Sequence, residues 1–315
     1  MSVSVGRTSF VALGGLIGTL AAGCSDDAPA VTTSAGATAP ISAPAPATAQ
    51  PVAVTVVSSS YEDGESAYRE SRFADAAEIF RSYSERKPAN VWGHYMLGMA
   101  SWKSGDRATA IEAFDRGLTI DSQHVKSLLN SSRVHLELGQ ADEAVGRSTR
   151  AVSIDSTSGE AYRLLGRALH TKGDADGAID AYRHALTLNE RDVWAMNNLG
   201  LLYIEQGCEG QALGPLARAV ELRSTSPVFL NNLGIALERS GYYQAARETY
   251  ERVLEADSTY GKASVSLERV TPLVREGEDA GPDLRDLALQ FEIQVRTWAE
   301  PDAVETTETK DSTER

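Results

Sequence analysis

The chain has 315 residues, 42% of them hydrophobic and 23% charged, with a formal net charge of −14 at pH 7. That surplus of acid argues against a nucleic-acid binder, because neutralising phosphates requires a basic footprint. Two cysteines, Cys24 and Cys208, allow at most one disulfide and exclude a disulfide-stapled fold. Residues 57–271 carry 24 basic and 30 acidic side chains, so the larger part of the net charge lies outside them.

Residues 1–9 are polar with a single basic side chain, Arg7, and the apolar run FVALGGLIGTLAA follows from Phe10 to Ala22. As a helix this run spans roughly 20 Å, short of a hydrocarbon core of roughly 30 Å. A weakly basic start, a short apolar run and small residues before a cut form a secretory signal pattern, expected over residues 1–23. The LAAGC of Leu20 to Cys24 resembles the bacterial lipobox, although Ala21 holds the place usually taken by leucine. The resemblance implies cleavage before Cys24, diacylglyceryl and N-acyl (palmitate-type) chains on that cysteine, and attachment to a membrane facing the periplasm. Two or more acyl chains hold a protein stably where one does not. By the sorting rule of such proteins, Ser25 implies the outer membrane more than the inner, with Asp26 and Asp27 following. Residues 24–56, rich in Ala, Pro, Thr and Ser, cannot bury enough apolar surface to offset chain entropy and are expected to form a tether.

From Val57 the chain repeats every 34 residues without insertion, giving units 57–90, 91–124, 125–158, 159–192, 193–226 and 227–260. Position 8 of the unit reads Gly64, Gly98, Ser132, Gly166, Gly200 and Gly234. Position 20 reads Ala76, Ala110, Ala144, Ala178, Ala212 and Ala246; position 24 reads Phe80, Phe114, Ser148, Tyr182, Leu216 and Tyr250. Small residues at 8 and 20 let two helices approach closely, and the large residue at 24 is expected to fill the space between one hairpin and the next. Gly105, Gly139, Gly173, Gly207 and Gly241 stand at position 15, where the first helix ends and a left-handed residue is needed. Asp106 and Asp174 follow as N-caps of the second helix. Ser131, Ser132 and Ser148 mark the third unit as atypical, and Pro215 is expected to kink the second helix of the fifth or delay its start.

This register resembles the tetratricopeptide repeat (TPR). The resemblance implies an all-α fold, a right-handed TPR superhelix of six helix-turn-helix units over 57–260, with C-terminal capping helices over 261–299 and a disordered acidic tail over 300–315. It also implies that positions 2, 5, 6, 9 and 12 of each first helix face a concave groove. Those positions hold Trp92, Tyr95, Met99 and Trp102; Lys126, Asn130 and Arg133; Arg163, Arg167 and His170; Trp194, Asn197 and Asn198; and Asn231 and Asn232. Asparagine amides offer both donor and acceptor to the backbone of an extended peptide. Tryptophan and arginine are frequent anchors of protein interfaces, and the local basic character suits an acidic or carboxylate-bearing ligand. The carboxylate clamp of chaperone-binding TPRs is incomplete: Arg163 and Asn198 fit it, while Arg167 replaces its second asparagine and Val228 breaks its third unit.

No phosphate loop, nucleophile elbow, HExxH or metal-ligand spacing appears, and Cys208 reads as a structural thiol at a turn. The expectation is therefore a non-enzymatic, lipid-anchored scaffold, without cofactor or metal, that binds another envelope protein as a peptide or helix in its groove. In outline it resembles the TPR lipoproteins that serve as pilotins for secretins and pili. The second reading is an accessory subunit of an envelope transferase or hydrolase encoded separately.

Overall fold

The computed structural model describes residues 60–275 and 281–299. The signal segment, Cys24, the 24–56 tether and the 300–315 tail lie outside the described residues. Fourteen α-helices and no strand occur within them. The first hairpin joins α1 (Tyr61–Arg69) to α2 (Phe73–Arg86), the second α3 (Val91–Ser104) to α4 (Arg107–Ile120), and the third α5 (Val125–Glu137) to α6 (Ala141–Ile154). Next come α7 (Gly159–Lys172) with α8 (Ala175–Leu188), α9 (Val193–Glu205) with α10 (Glu209–Leu222), and α11 (Pro227–Arg239) with α12 (Tyr243–Ala256). Helix α13 (Gly261–Val270), a short 3-10 turn and α14 (Leu284–Ala299) complete the order.

Local chemistry sets the ends of these helices. Ser60 and Asp63 form a reciprocal capping box on α1, with the Ser60 amide donating to Asp63 at 2.7 Å and the Asp63 amide to Ser60 Oγ at 3.1 Å. Asp106 and Asp174 each accept a backbone N–H at 3.0 Å at the start of α4 and α8. The position-15 glycines after α3, α5, α7, α9 and α11 all have positive φ, between 70° and 94°. In the first hairpin that place is taken by Ser71 at φ 61°, the one non-glycine residue in the left-handed region among those described.

Tight packing within hairpins explains the rest of the pattern. All six position-20 alanines are fully buried. The position-24 side chain lies over the position-8 glycine of its own hairpin: a Cβ on Gly98 would come within 2.6 Å of the Phe114 ring, and one on Gly234 within 2.5 Å of Tyr250. It also reaches the next hairpin, Phe80 sharing a core with Leu97 and Phe114 with Val134. The first helix of each of the second to fifth hairpins also packs directly on the first helix of the next, and each second helix packs on the first helices of its own and the following hairpin. Second helices make no comparable packing with one another, so α3, α5, α7, α9, α11 and α13 form the tighter, inner layer of the stack.

Two expectations are corrected here. Helix α13 continues the inner layer as a cap, but α14 does not cap the end: it turns back onto α10 and α8 in the outer layer. Ala288, Phe291 and Val295 supply its buried stripe, and Phe291 and Val295 join the core formed by α8 to α13. Pro215 does not delay α10, which runs from Glu209 to Leu222 with the proline inside it. Beside Gly214, it lies where α14 crosses: a Cβ on Gly214 would stand 3.2 Å from Phe291 Cβ.

Candidate protein-binding groove

The inner face begins with an aromatic station on α3 and α5. Trp92 is 46% exposed, packs edge-on to Tyr95 and to His124 with the latter ring centroid 4.9 Å away, and has Lys126 Nζ 5.0 Å from its ring centroid. Burial raises the Tyr95 phenol above its usual range, so it stays neutral, and it accepts a hydrogen bond from Asn130 Nδ2 at 3.3 Å. Burial likewise lowers the His124 pKa, leaving that ring uncharged near neutrality. Met99 is half-buried against Phe114 and Val134. Trp102 donates its indole N–H to Glu137 at 3.1 Å. Farther along, Trp194 is 43% exposed and stands edge-on to Phe229.

The asparagines are placed differently from the sequence expectation. Asn130, Asn197, Asn231 and Asn232 are buried, and their amides bond within the protein. Asn231 donates to Asn232, Asn232 to Asn197 at 2.7 Å, and Asn197 to Asn198, so the amides form a directed chain across α11 and α9. Each amide satisfies the next because positions 5 and 6 point at the neighbouring inner helix as well as at the groove. Asn198 is half-buried, and the Oδ1 of Asn231 is left without a partner among the described residues.

The basic face is also corrected. Arg133 is paired with Glu160, Arg163 with Asp192 at 2.8 Å, and His170 with Glu205 at 2.6 Å. Each acid comes from the next inner helix or its N-cap, so the cations stitch the stack before they meet any ligand. Arg167 and Lys126 remain exposed.

One part of the face was not foreseen. Between α11 and α13 lies an open cavity of about 710 Å³ lined by Asn231, Ile235, Arg239, Lys262 and Val265 among others. Val265 is 61% exposed. Reading positions 2, 5 and 9 one unit further, at Lys262, Val265 and Arg269, would have found it. Helix α14 sits on the outer layer and leaves the inner face uncovered.

Among the described residues no three His, Cys, Asp or Glu side chains gather as a metal site, and no helix is long and apolar enough to cross a membrane. Cys208 is a half-buried free thiol at the N-cap of α10.

Residues 61–125 and 228–260 match the family described as "Tetratricopeptide repeat", and residues 166–207 match "TPR repeat". Among solved structures, pilF of Pseudomonas aeruginosa is 18% identical with a TM-score of 0.53, over 68% of this chain and 93% of that one. A chain of the APC/C hetero-tetramer Cut9-Hcn1 is 18% identical with a TM-score of 0.58, over 67% of this chain and 42% of that one. The MamA protein is 26% identical with a TM-score of 0.47, over 55% of this chain and 94% of that one. At these levels the first two share the fold, and the third carries no further weight. No curated protein matches the sequence.

Proposed function

Since this chain belongs to the tetratricopeptide repeat family, we propose that it is a protein-binding scaffold. It takes a segment of a partner on its inner face and is held at a membrane of the bacterial envelope by an acylated Cys24. The observation that carries the binding reading is the exposure of Trp92 and Trp194 on an inner face that α14 leaves open. Indole rings are costly to leave in water and dominate interface energetics once covered. The internal pairing of Arg133 and Arg163 shifts the expected partner away from a strongly acidic segment toward one with apolar or aromatic anchors. The anchor rests on the LAAGC motif, and an envelope-assembly role of secretin or pilus type rests on the resemblance to pilotin-like TPR lipoproteins. An accessory role beside a separate transferase or hydrolase is the second reading.

Photo-crosslinking residues at positions 92 and 194 test this in cells. Both should trap the same partner, and a crosslinker at the outer-layer position 143 should not. A pilus or secretin component selects the first reading, and a transferase or hydrolase the second. Equal trapping from the inner and outer positions, or none from the inner, rejects the groove. For the anchor, Cys24→Ala should move the protein from the membrane to the soluble fraction; retention in the membrane would dismiss acylation.

A further inference from the structure

The seat of α14 has a counterpart elsewhere on the outer layer. Between α8 and α10, Arg183 lies 5.2 Å from the Trp298 ring centroid and Arg218 binds Glu292 at 2.6 Å, while Gly214 and Pro215 let Phe291 approach. Three repeats earlier in register, Arg183 corresponds to Arg81, Gln211 to Thr109, Pro215 to Ala113 and Arg218 to Arg116. These four counterparts line a cavity of about 540 Å³ between α2 and α4. Arginine at both flanking positions is confined to these two grooves. The intervening and following pairs of outer helices read Asp115 with Arg150, Thr149 with His184, and Ala217 with Arg252.

The floor of the α2–α4 groove is also unusual. Ser84, 5% exposed, stands in the register of Leu118, Val152, Leu186, Val220 and Leu254, and His94 stands in that of Met196. Both residues line the groove, and beneath its surface Ser84 Oγ and His94 Nδ1 are shielded from solvent with no hydrogen-bond partner among the described residues. Unpaired buried polar atoms where other hairpins place hydrocarbon cost stability, so this floor is a poor device for stability alone. One difference alters the fit. Glu112 stands where Gly214 admits α14, so a docked backbone sits farther out and reaches the floor with a side chain. Glu85 and Glu112 beside Arg81 and Arg116 give the rim both signs of charge, as α14 itself has in Glu292 and Arg296.

We propose that the α2–α4 groove docks an amphipathic helix of a partner protein built like α14. That helix has an aromatic residue for the floor, a carboxylate next to it for Arg116, and a second aromatic two turns later against Arg81. This contact lies on the layer opposite the inner groove, so its test is independent of the one above. The probe is a fluorescein-labelled, acetylated and amidated peptide of residues 282–299, titrated into the full chain and followed by anisotropy. Saturable binding is expected. It should weaken by about tenfold or more in the R81E/R116E double variant and recover when the peptide carries E292K. Arg81 and Arg116 are exposed, so the variant should keep its helices, which circular dichroism checks. A photo-crosslinker in place of Phe291 in the peptide should mark α2 or α4. Lack of saturable binding, undiminished binding to R81E/R116E, or crosslinks confined to α8 and α10 through displacement of the resident helix would each overturn the proposal.

Discussion

In the α3–α4 hairpin the Phe114 ring lies over Gly98 so closely that even a methyl group on the glycine would come within 2.6 Å of it. In the α5–α6 hairpin the same two places hold Ser132 and Ser148, both fully buried, whose hydroxyls donate to the Ala144 carbonyl at 3.0 and 2.7 Å. The two positions therefore change together. When no large side chain stands at position 24, the residue facing it no longer has to be glycine, and two small alcohols can close the gap by bonding to backbone. Leu216, though not a ring, still requires Gly200, where a Cβ would come within 2.5 Å of it. The exchange keeps the helix pair in place but gives up the apolar surface of a buried ring, on the order of 1.5–3 kcal/mol. The cores differ as well: α8 to α14 share one continuous core, whereas α1 to α7 hold three smaller ones, two of them around the Phe80 and Phe114 rings.

This contrast can be broken most severely in the second hairpin. Phe114→Ala should cost about 3–5 kcal/mol, while Ser148→Ala should cost about 1 kcal/mol or less, because Ser132 still serves the Ala144 carbonyl. Urea titration of both variants compares them directly, and equal losses would discredit the paired-position account. Installing the ring in the third hairpin is the next test. Ser148→Phe alone should destabilise by about 1–3 kcal/mol through overpacking against Ser132. Adding Ser132→Gly should recover part of that loss, with a favourable coupling on the order of 1 kcal/mol in the double-mutant cycle.

A smaller gain is expected at Ser71, the serine that holds the position-15 turn at φ 61° where five later hairpins use glycine. Left-handed backbone costs a non-glycine residue roughly 1–2 kcal/mol, and the added chain entropy of glycine takes back part of this. Ser71→Gly should raise stability by about 0.5–1 kcal/mol, seen as a higher melting temperature. The mildest effect concerns pH. Burial pushes Glu238 upward, but hydrogen bonds from Arg269 and Tyr250 and the Arg269 charge outweigh it, so its pKa falls below the usual carboxylate range. A lowered folded-state pKa means stabilisation that is complete above the ordinary glutamate pKa and is lost as pH drops through the folded value. Glu238→Gln should therefore flatten the acid limb of the stability curve near α13 without shifting its neutral plateau by a comparable amount.

The helix pairs, the glycine turns and the buried alanines were legible from the 34-residue register, because each reflects contacts inside one hairpin. What was not legible depends on what the next hairpin presents. Asn197 and Asn232 hold positions 5 and 6, expected to face the groove as Trp92 and Trp194 do at position 2, yet they face one another across two helices and are consumed there. Arg133 and Arg163 meet Glu160 and Asp192, which stand 27 and 29 residues on, close to one unit. Position within the unit gives the direction in which a side chain leaves its helix; it does not give the partner waiting there. Helix α14 was visible as an apolar stripe, but its seat was not. The clue was Gly214 beside Pro215, two residues that weaken a helix and make sense once Phe291 is laid against them.

Most tertiary hydrogen bonds of the stack join residues about 35 positions apart or fewer, as between Trp102 and Glu137. The pairing of Arg296 with Glu190 spans 106. During synthesis, successive hairpins can settle on those already made, each waiting for little more than its own length of chain. The clasp of α14 on α8 and α10 cannot close until the ribosome has delivered α11, α12 and α13 as well. The outer flank of the fourth and fifth hairpins is thus the last surface to be covered in a newborn molecule, and the first that a chain truncated before Leu284 would leave bare to chaperones and proteases.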